Sequence, residues 1–403
     1  MEPVSRFSDR YLDVPRVNCQ AGVPLAAQPE IGHNRWHPEI PPAVSVDPGG
    51  EVILESAAYD DYQIHDNGSL EELRRIDLSR MHPLTGPVHV GGARPGDVLV
   101  AEVLGVEPLS GIAFANILPG TPGLLGDIFP DGFRSTWHAR GAVAESPEVP
   151  GVRIPAQPHP GTMGVAPSFE LMRRWHEREQ PLYAGRRAFA PDPRNALLRG
   201  LGREAAGIAA RTQPPRENGG NMDINALGPG AKVYFPVFVE GALLSLGDHH
   251  LSAGDGECSF NAMEMDGRTW LRLHVIPGGM ARHRITTPVV QPAPLVAQFG
   301  AGRYLGFTGF CFDDAEQGYQ DASFAAREAV SRAVDYLMGL GYSGEQAYVI
   351  LSVAPVELRI SCIVTIPNPT VTLYLPIDIF DRDILPRADA REAVPHPGPA
   401  RQG

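Results

Sequence analysis

Carboxylate, imidazole and amide side chains cluster among glycines in two short segments: Glu217-Asn-Gly-Gly-Asn221-Met-Asp223, and Gly247-Asp248-His249-His250 running on to Gly254-Asp255-Gly256-Glu257. In extended backbone, residues two apart project from one face. That aims Asp248 with His250, and Asp255 with Glu257, at common points, and turns His249 the other way. Such pairs suit a divalent metal or a paired acid and base. A solvated loop of Asp, His and Gly has the same spacing, so the pairs alone do not choose. Glycine lets backbone approach a small ligand closely and take positive φ without strain.

The elements around these segments must bring them together. Lys232–Val239 and Ala242–Leu246 read as two short strands between them. A hairpin of the two strands places both segments at one end of a sheet. Upstream, Val44–Glu55 and Val98–Val106 read as strands, each fed by a Pro-Gly turn. Phe169, Leu171, Met172 and Trp175 have helical spacing within 168–179. Residues 321–340 form the clearest helix, with Phe324, Val330, Val334 and Leu337 on its apolar side. Ser343-Gly-Glu-Gln346 is a capping box opening the next helix, which must stop before Pro355. Val371–Leu375 is a last strand. The expected fold is mainly β with α+β: an amino-terminal β-sandwich or barrel-like part packed on a carboxy-terminal α+β part. The expected divisions are a β-rich part at 34–167, a helical and loop excursion at 168–217, an α+β part with the main site segments at 218–385, and a flexible tail at 386–403. Residues 1–33 read as a polar arm.

Composition narrows the chemistry. Net charge is −13 over 403 residues, which disfavours a nucleic-acid partner. The 44 Gly and 40 Pro point to many turns and a strand-rich fold. Lys232 is the only lysine and opens a strand, so mechanisms needing a catalytic lysine have nowhere else to go. Cys19, Cys258, Cys311 and Cys362 are scattered and read as reduced thiols. The charged amino-terminal residues Glu2, Arg6, Asp9 and Arg10 do not form a signal peptide, and no apolar run approaches a membrane span. A soluble cytoplasmic protein is expected. The Arg-rich stretch 180–217 reads as a solvated surface. His33-Asn-Arg-Trp-His37, His159-Pro-Gly161 and Asp60, Asp61 and Asp66 are further polar spots, each more often structural than functional. No GxSxG elbow, Walker loop, dinucleotide fingerprint or HExxH occurs.

With these motifs in place, the chain resembles the acetamidase/formamidase family. The resemblance is carried by Asn34-Arg-Trp-His-Pro-Glu-Ile-Pro, His82-Pro-Leu-Thr-Gly-Pro, Gly92-Ala-Arg-Pro-Gly-Asp, His159-Pro-Gly, Asn218-Gly-Gly-Asn-Met-Asp, Tyr234-Phe-Pro-Val, Gly247-Asp-x-His-x4-Asp255-Gly-Glu, Met265 with the preceding Glu264, and Leu375-Pro through Phe380-Asp. These run in order along nearly the whole chain. The resemblance implies hydrolysis of formamide, acetamide or another short aliphatic amide to the carboxylate and ammonia, with γ-lactams as an alternative substrate and a symmetric homo-oligomer as the assembly. It departs at Asp61-Tyr62, where the formamidase branch carries Gly-Gly; this change is expected to reshape the pocket. A non-catalytic binding protein on the same fold is the alternative of another class.

An amide hydrolase needs an activated water, an electrophile on the carbonyl oxygen and an acid for the nitrogen. The expected solution is a divalent metal, zinc by preference, with His250, Asp248 and Asp223 as ligands and Glu257 as general base. Asp255 is read as a ligand or as the group orienting His250, and in a metal-free version Asp255 and Glu257 act alone. Asn221 and His159 are expected to hold the substrate. Three heavy atoms gain at most about −4.5 kcal/mol, so a millimolar Michaelis constant and a small closed pocket are expected for formamide.

Overall fold

The computed structural model describes residues 13–386 except 67, 121–122, 186, 293–301, 314 and 365. The start of the amino-terminal arm and all but the first residue of the expected tail lie outside the described residues. Two large sheets face each other. One has six strands in the order Arg16–Val17, Glu51–Ser56, Gly267–Ile276, Val98–Pro108, Lys232–Pro236 and Val289–Gln291. Strand Gly267–Ile276 shows why it settles there. Thr269, Leu271 and Leu273 are buried on one face, whereas Arg268, Trp270 and Arg272 alternate outward, the period-two pattern of a half-covered sheet.

The second sheet has eleven strands, and its centre carries the site. Glu264–Met265, Leu244–His250, His159–Gly164 and Gly219–Asn221 lie side by side in that order. Strand Leu244–His250 is buried along its whole length because both of its faces are covered. On the inter-sheet face, His249 bonds through Nδ1 to Ser56 Oγ and through Nε2 to Thr269 Oγ1, each at 2.7 Å. His159–Gly164 and Leu244–His250 share this sheet, and Glu51–Ser56, Val98–Pro108, Lys232–Pro236 and Gly267–Ile276 share the other. The β-rich part at 34–167 and the part at 218–385 are therefore woven together within each sheet.

The expected hairpin between the two site segments does not form. Lys232–Pro236 pairs with Val98–Pro108 in the six-stranded sheet, while Leu244–His250 lies in the other. Ala242 and Leu243, both at positive φ, turn the chain between layers. The segments meet instead through a third strand, because His159–Gly164 pairs with Gly219–Asn221 on one side and with Leu244–His250 on the other.

The carboxy-terminal α+β part is a three-stranded sheet, Tyr304–Gly309, Thr370–Pro376 and Glu357–Cys362, packed with two helices. Helix Ala322–Gly339 buries Ala325, Ala329, Val330, Ala333, Val334 and Leu337, and Asp321 caps its start. Helix Gly344–Val353 begins at the expected capping box: Gln346 N donates to Ser343 Oγ and Ser343 N donates to Gln346 Oε1. In the excursion, helix Phe169–Tyr183 buries Leu171, Met172 and Trp175 and leaves Phe169 exposed. The arginines around it are not all solvated. Arg211 is buried, and Arg216 holds Glu179 at 2.6 Å with its side chain 3% exposed.

Candidate functional site

Asp248 and His250 project together from strand Leu244–His250 onto the face opposite His249. Asp223 follows strand Gly219–Asn221, one strand beyond His159–Gly164, and sits at φ 49°, while Asp248 is at φ 56° and Glu257 at φ 40°. Left-handed backbone at three acidic residues of one cluster is strain that the surrounding structure must over-determine. Gly161 shows how tightly the groups converge. A Cβ there would lie 2.7 Å from His250 Nε2 and 2.8 Å from Asp223 Oδ1, so only glycine leaves room for both.

His250 Nε2 is the hub. It lies 3.4 Å from Glu264 Oε2, 3.7 Å from Asp248 Oδ1 and 3.8 Å from Glu257 Oε1. Asp223, Asp248 and His250 each offer a ligand atom within 4.8 Å of the others, and His250, Glu257 and Glu264 do the same. Thr162 Oγ1 lies 2.6 Å from Asn221 Oδ1 and 3.0 Å from Asp248 Oδ2, its one proton shared between these two acceptors, and Asn221 Nδ2 donates to Asp223 Oδ2 at 2.5 Å. Asn221 thus lines the cavity but uses its amide to orient Asp223, where a substrate contact was expected.

The cluster crowds four carboxyl groups around one imidazole. Burial, then the charges of Glu257 and Asp248, push the Asp223 carboxyl well up. Burial raises Glu257, and it lifts Glu264 to about 8, with the His250 imidazole opposing both. Burial also acts on Asp248, but His82, His250 and the Thr162 hydroxyl together hold it below its ordinary value. His250 is pushed down by burial, yet Glu264 and Asp248 outweigh this and carry it well above an ordinary histidine. Four carboxyl groups around one imidazole cannot all ionise together. Asp223 Oδ1 and Glu264 Oε2 are buried with no hydrogen-bond partner. This oxygen-and-imidazole donor set could hold a divalent cation, which would offset the crowded negative charge.

Two expected residues lie elsewhere. Asp255 accepts from Asn225 Nδ2 at 3.0 Å and from Leu358 N at 3.1 Å, away from the cluster. The alternation that paired it with Glu257 fails because Gly256 and Glu257 both take positive φ in a turn. Nor does Asp255 orient His250, whose Nδ1 has no partner. His159 is fully buried behind the site rather than facing a substrate. Its Nδ1 is held by Gln157 O at 2.8 Å, and its ring packs edge-on against His250 at 5.1 Å. Glu217, which opens the first segment, is structural: it accepts from Trp175 Nε1, and its ion pair with Arg178 holds it at about 2.

The structure adds Glu264 and His82 to the site. Glu264 arrives on the strand beside His250 (His250 pairs with Glu264 in register). Its sequence context, Met263-Glu264-Met265, carried no chemical pattern beyond the family resemblance. His82 lines the cavity next to Asp248 and comes from the turn before strand Leu84–Val90. Gly247 makes this approach possible, since a Cβ there would lie 2.4 Å from Pro83 O.

The cluster forms part of the wall of a cavity of about 560 Å³, not the small closed pocket expected for formamide. Asp61 and Tyr62 do not line it. Asp61 is locked by Leu25 N at 2.7 Å and by Arg80 at 2.7 and 2.9 Å, and Tyr62 points to Asp266 at 3.3 Å. Cys258 does line it, but burial pushes that thiol up to about 12, which removes it as a nucleophile. Lys232 lies in the other sheet, 3.4 Å from Glu102.

The chain belongs to the acetamidase/formamidase family, which it matches over residues 18–382. It is 40% identical over 385 residues to a formamidase of Methylophilus methylotrophus, covering 91% of this chain and 93% of that protein. It is 42% identical over 360 residues to an acetamidase of Mycolicibacterium smegmatis, covering 81% and 86%. A gamma lactamase from Delftia acidovorans has a similar structure, with a TM-score of 0.87 at 39% identity over 92% of this chain and 96% of that one. Among the described residues, no helix is long and apolar enough to cross a membrane.

Proposed function

We propose that the protein hydrolyses a short, non-peptide amide to a carboxylate and ammonia. The observation that carries this reading is the pair of metal-competent triads sharing His250 at a cavity wall, in a chain about 40% identical to formamidase and acetamidase relatives. Asp223, Asp248 and His250 would hold a divalent ion, zinc by preference, with Glu264 beside them. When bound, the ion supplies a Lewis acid for the carbonyl oxygen and lowers the pKa of water to roughly 7.

The remaining work falls to residues of the chain. Glu257 lines the cavity and burial raises it above its ordinary value, which makes its carboxylate a better acceptor for a proton from the attacking water, to be returned to the departing nitrogen. Asn221 and Thr162 hold Asp223 and Asp248 in place. The Asp255–Glu257 pair expected for a metal-free mechanism is not formed, because Asp255 is turned away. A γ-lactam is the second reading, favoured by the likeness to the Delftia acidovorans protein.

Cytoplasmic residence and a symmetric homo-oligomer complete the proposal. Free thiols at all four cysteines support the first, and the exposed apolar run Ile360, Ile363, Val364 and Ile366 supports the second. Ammonia release from formamide, acetamide and γ-lactams, measured before and after exhaustive chelation with metal analysis, tests the core of this reading. Activity is expected to vanish on chelation and return with zinc. Full activity in demonstrably metal-free protein would remove the ion, and no release from any amide would remove the function.

A further inference from the structure

The cavity is much larger than formamide or acetamide requires. A molecule of three or four heavy atoms displaces on the order of two or three waters, each about 30 Å³ in the liquid. The cavity measures about 560 Å³, within the range of pockets that enclose far larger ligands. Its lining is also divided in character. Beyond the acidic cluster, Tyr59, Met81, Leu124, Phe189 and Phe260 line it. Tyr59 and Met81 are core residues of one packed apolar cluster against which Phe260 rests, so this wall is preformed. Phe189 comes from the excursion and is 37% exposed, an aromatic face left open at the cavity although the Arg211 guanidinium lies 5.5 Å from its ring.

Resting on the amide-hydrolase reading, we propose that this wall is an acyl subsite, and that the preferred substrates are amides with an apolar acyl body of about three to six carbons. The amide group meets the cluster, and the acyl chain or ring lies along Met81, Phe260 and Phe189. Each methylene moved from water onto this wall raises kcat/KM about fourfold. Formamide gains nothing from it.

The test is ammonia release from acetamide, propionamide and butyramide by the metal-loaded protein. Carbonyl reactivity is nearly constant across these three, so the series isolates the wall. kcat/KM is expected to rise about fourfold per added methylene. Two variants locate the effect. Phe189→Ala is expected to lower the butyramide-to-acetamide ratio about threefold or more. Leu124→Trp, which fills the subsite, is expected to lower that ratio at least about tenfold. Thermal melts of both variants separate these losses from unfolding, and the ratio cancels any loss of active protein. A flat or falling series overturns the subsite and leaves the amidase reading standing. An unchanged ratio in both variants also overturns it. Silence toward all three amides, and toward formamide, overturns the amidase reading itself.

Discussion

His249 and His250 are neighbours in sequence and face opposite sides of one buried strand. His249 meets two hydroxyls, Ser56 and Thr269, and burial pushes it down to about 3. His250 meets Asp248, Glu257 and Glu264, and their charge carries it well above its ordinary value. Both rings are equally dry, so burial alone does not explain the difference. The partners decide: neutral hydroxyls, one donating and one accepting, make one imidazole a structural bolt between the sheets, and carboxylates make the other a charged hub.

The sharpest way to break this contrast is to delete each ring in turn. His250→Ala is expected to cost at least about 1,000-fold in amide turnover and to abolish zinc retention, read by metal analysis after gel filtration. Glu257→Gln is expected to cost about 100-fold in kcat while metal content holds, because it removes the proton carrier and leaves the Asp223, Asp248 and His250 set intact. An unchanged rate would take Glu257 out of the mechanism. Glu264→Gln is expected to weaken zinc affinity about tenfold or more, measured by competition with a chromogenic chelator. His249→Ala should do the reverse of His250→Ala. It leaves a cavity and two unpaired buried hydroxyls, for about 2–4 kcal/mol of lost stability in urea unfolding, with metal retained.

The smallest expected effect is on the pH dependence of stability, where His249 and four groups of the cluster face have opposite signs, while Asp248, held below its ordinary value, adds to the acid limb. On the cluster face of the metal-free protein, His250, Asp223, Glu257 and Glu264 all bind protons more tightly folded than unfolded. Their contribution is present at low pH and lost as pH rises, through about 8 for Glu264. His249 binds its proton more weakly when folded. Its contribution is full above about 6.5, the unfolded value, and is lost as pH falls toward about 3. Urea midpoints of apoprotein should therefore fall on the alkaline side. His249→Gln should flatten only the acid limb, and loss of the alkaline limb in that variant would contradict the assignment of faces.

The excursion makes a second instructive contrast. A run of arginines in an acidic protein reads as solvated surface, and Arg194 fits that reading with an exposed pair to Asp192. Arg211 and Arg216 do not. One donates to Gln213 and the Leu78 carbonyl, and the other is clamped by Glu179 over the Trp175 ring. The partners that bury them, the Leu78 carbonyl and Glu179, lie tens of residues away, so no local pattern could separate them from Arg194.

Local physics was readable along the chain. The Ser343–Gln346 capping box, the apolar stripe of Ala322–Gly339 and the opposed directions of His249 and His250 follow from helix caps and from periods of 3.6 and 2, and these depend only on near neighbours. The concentration of Asp223, Asp248, His250 and Glu257 in two glycine-punctuated segments was legible for the same reason. What the amino-acid order could not decide was which strand joins those segments. His159–Gly164 does so by pairing with both, whereas the expected hairpin is pulled apart between two sheets. Asp255 was drawn out of the site by positive φ at Gly256 and Glu257, and Glu264 and His82 were drawn into it across a strand pair and past a glycine. Strand pairing and backbone hand are settled by the burial of whole sheets, a balance over hundreds of residues that no short window of sequence contains.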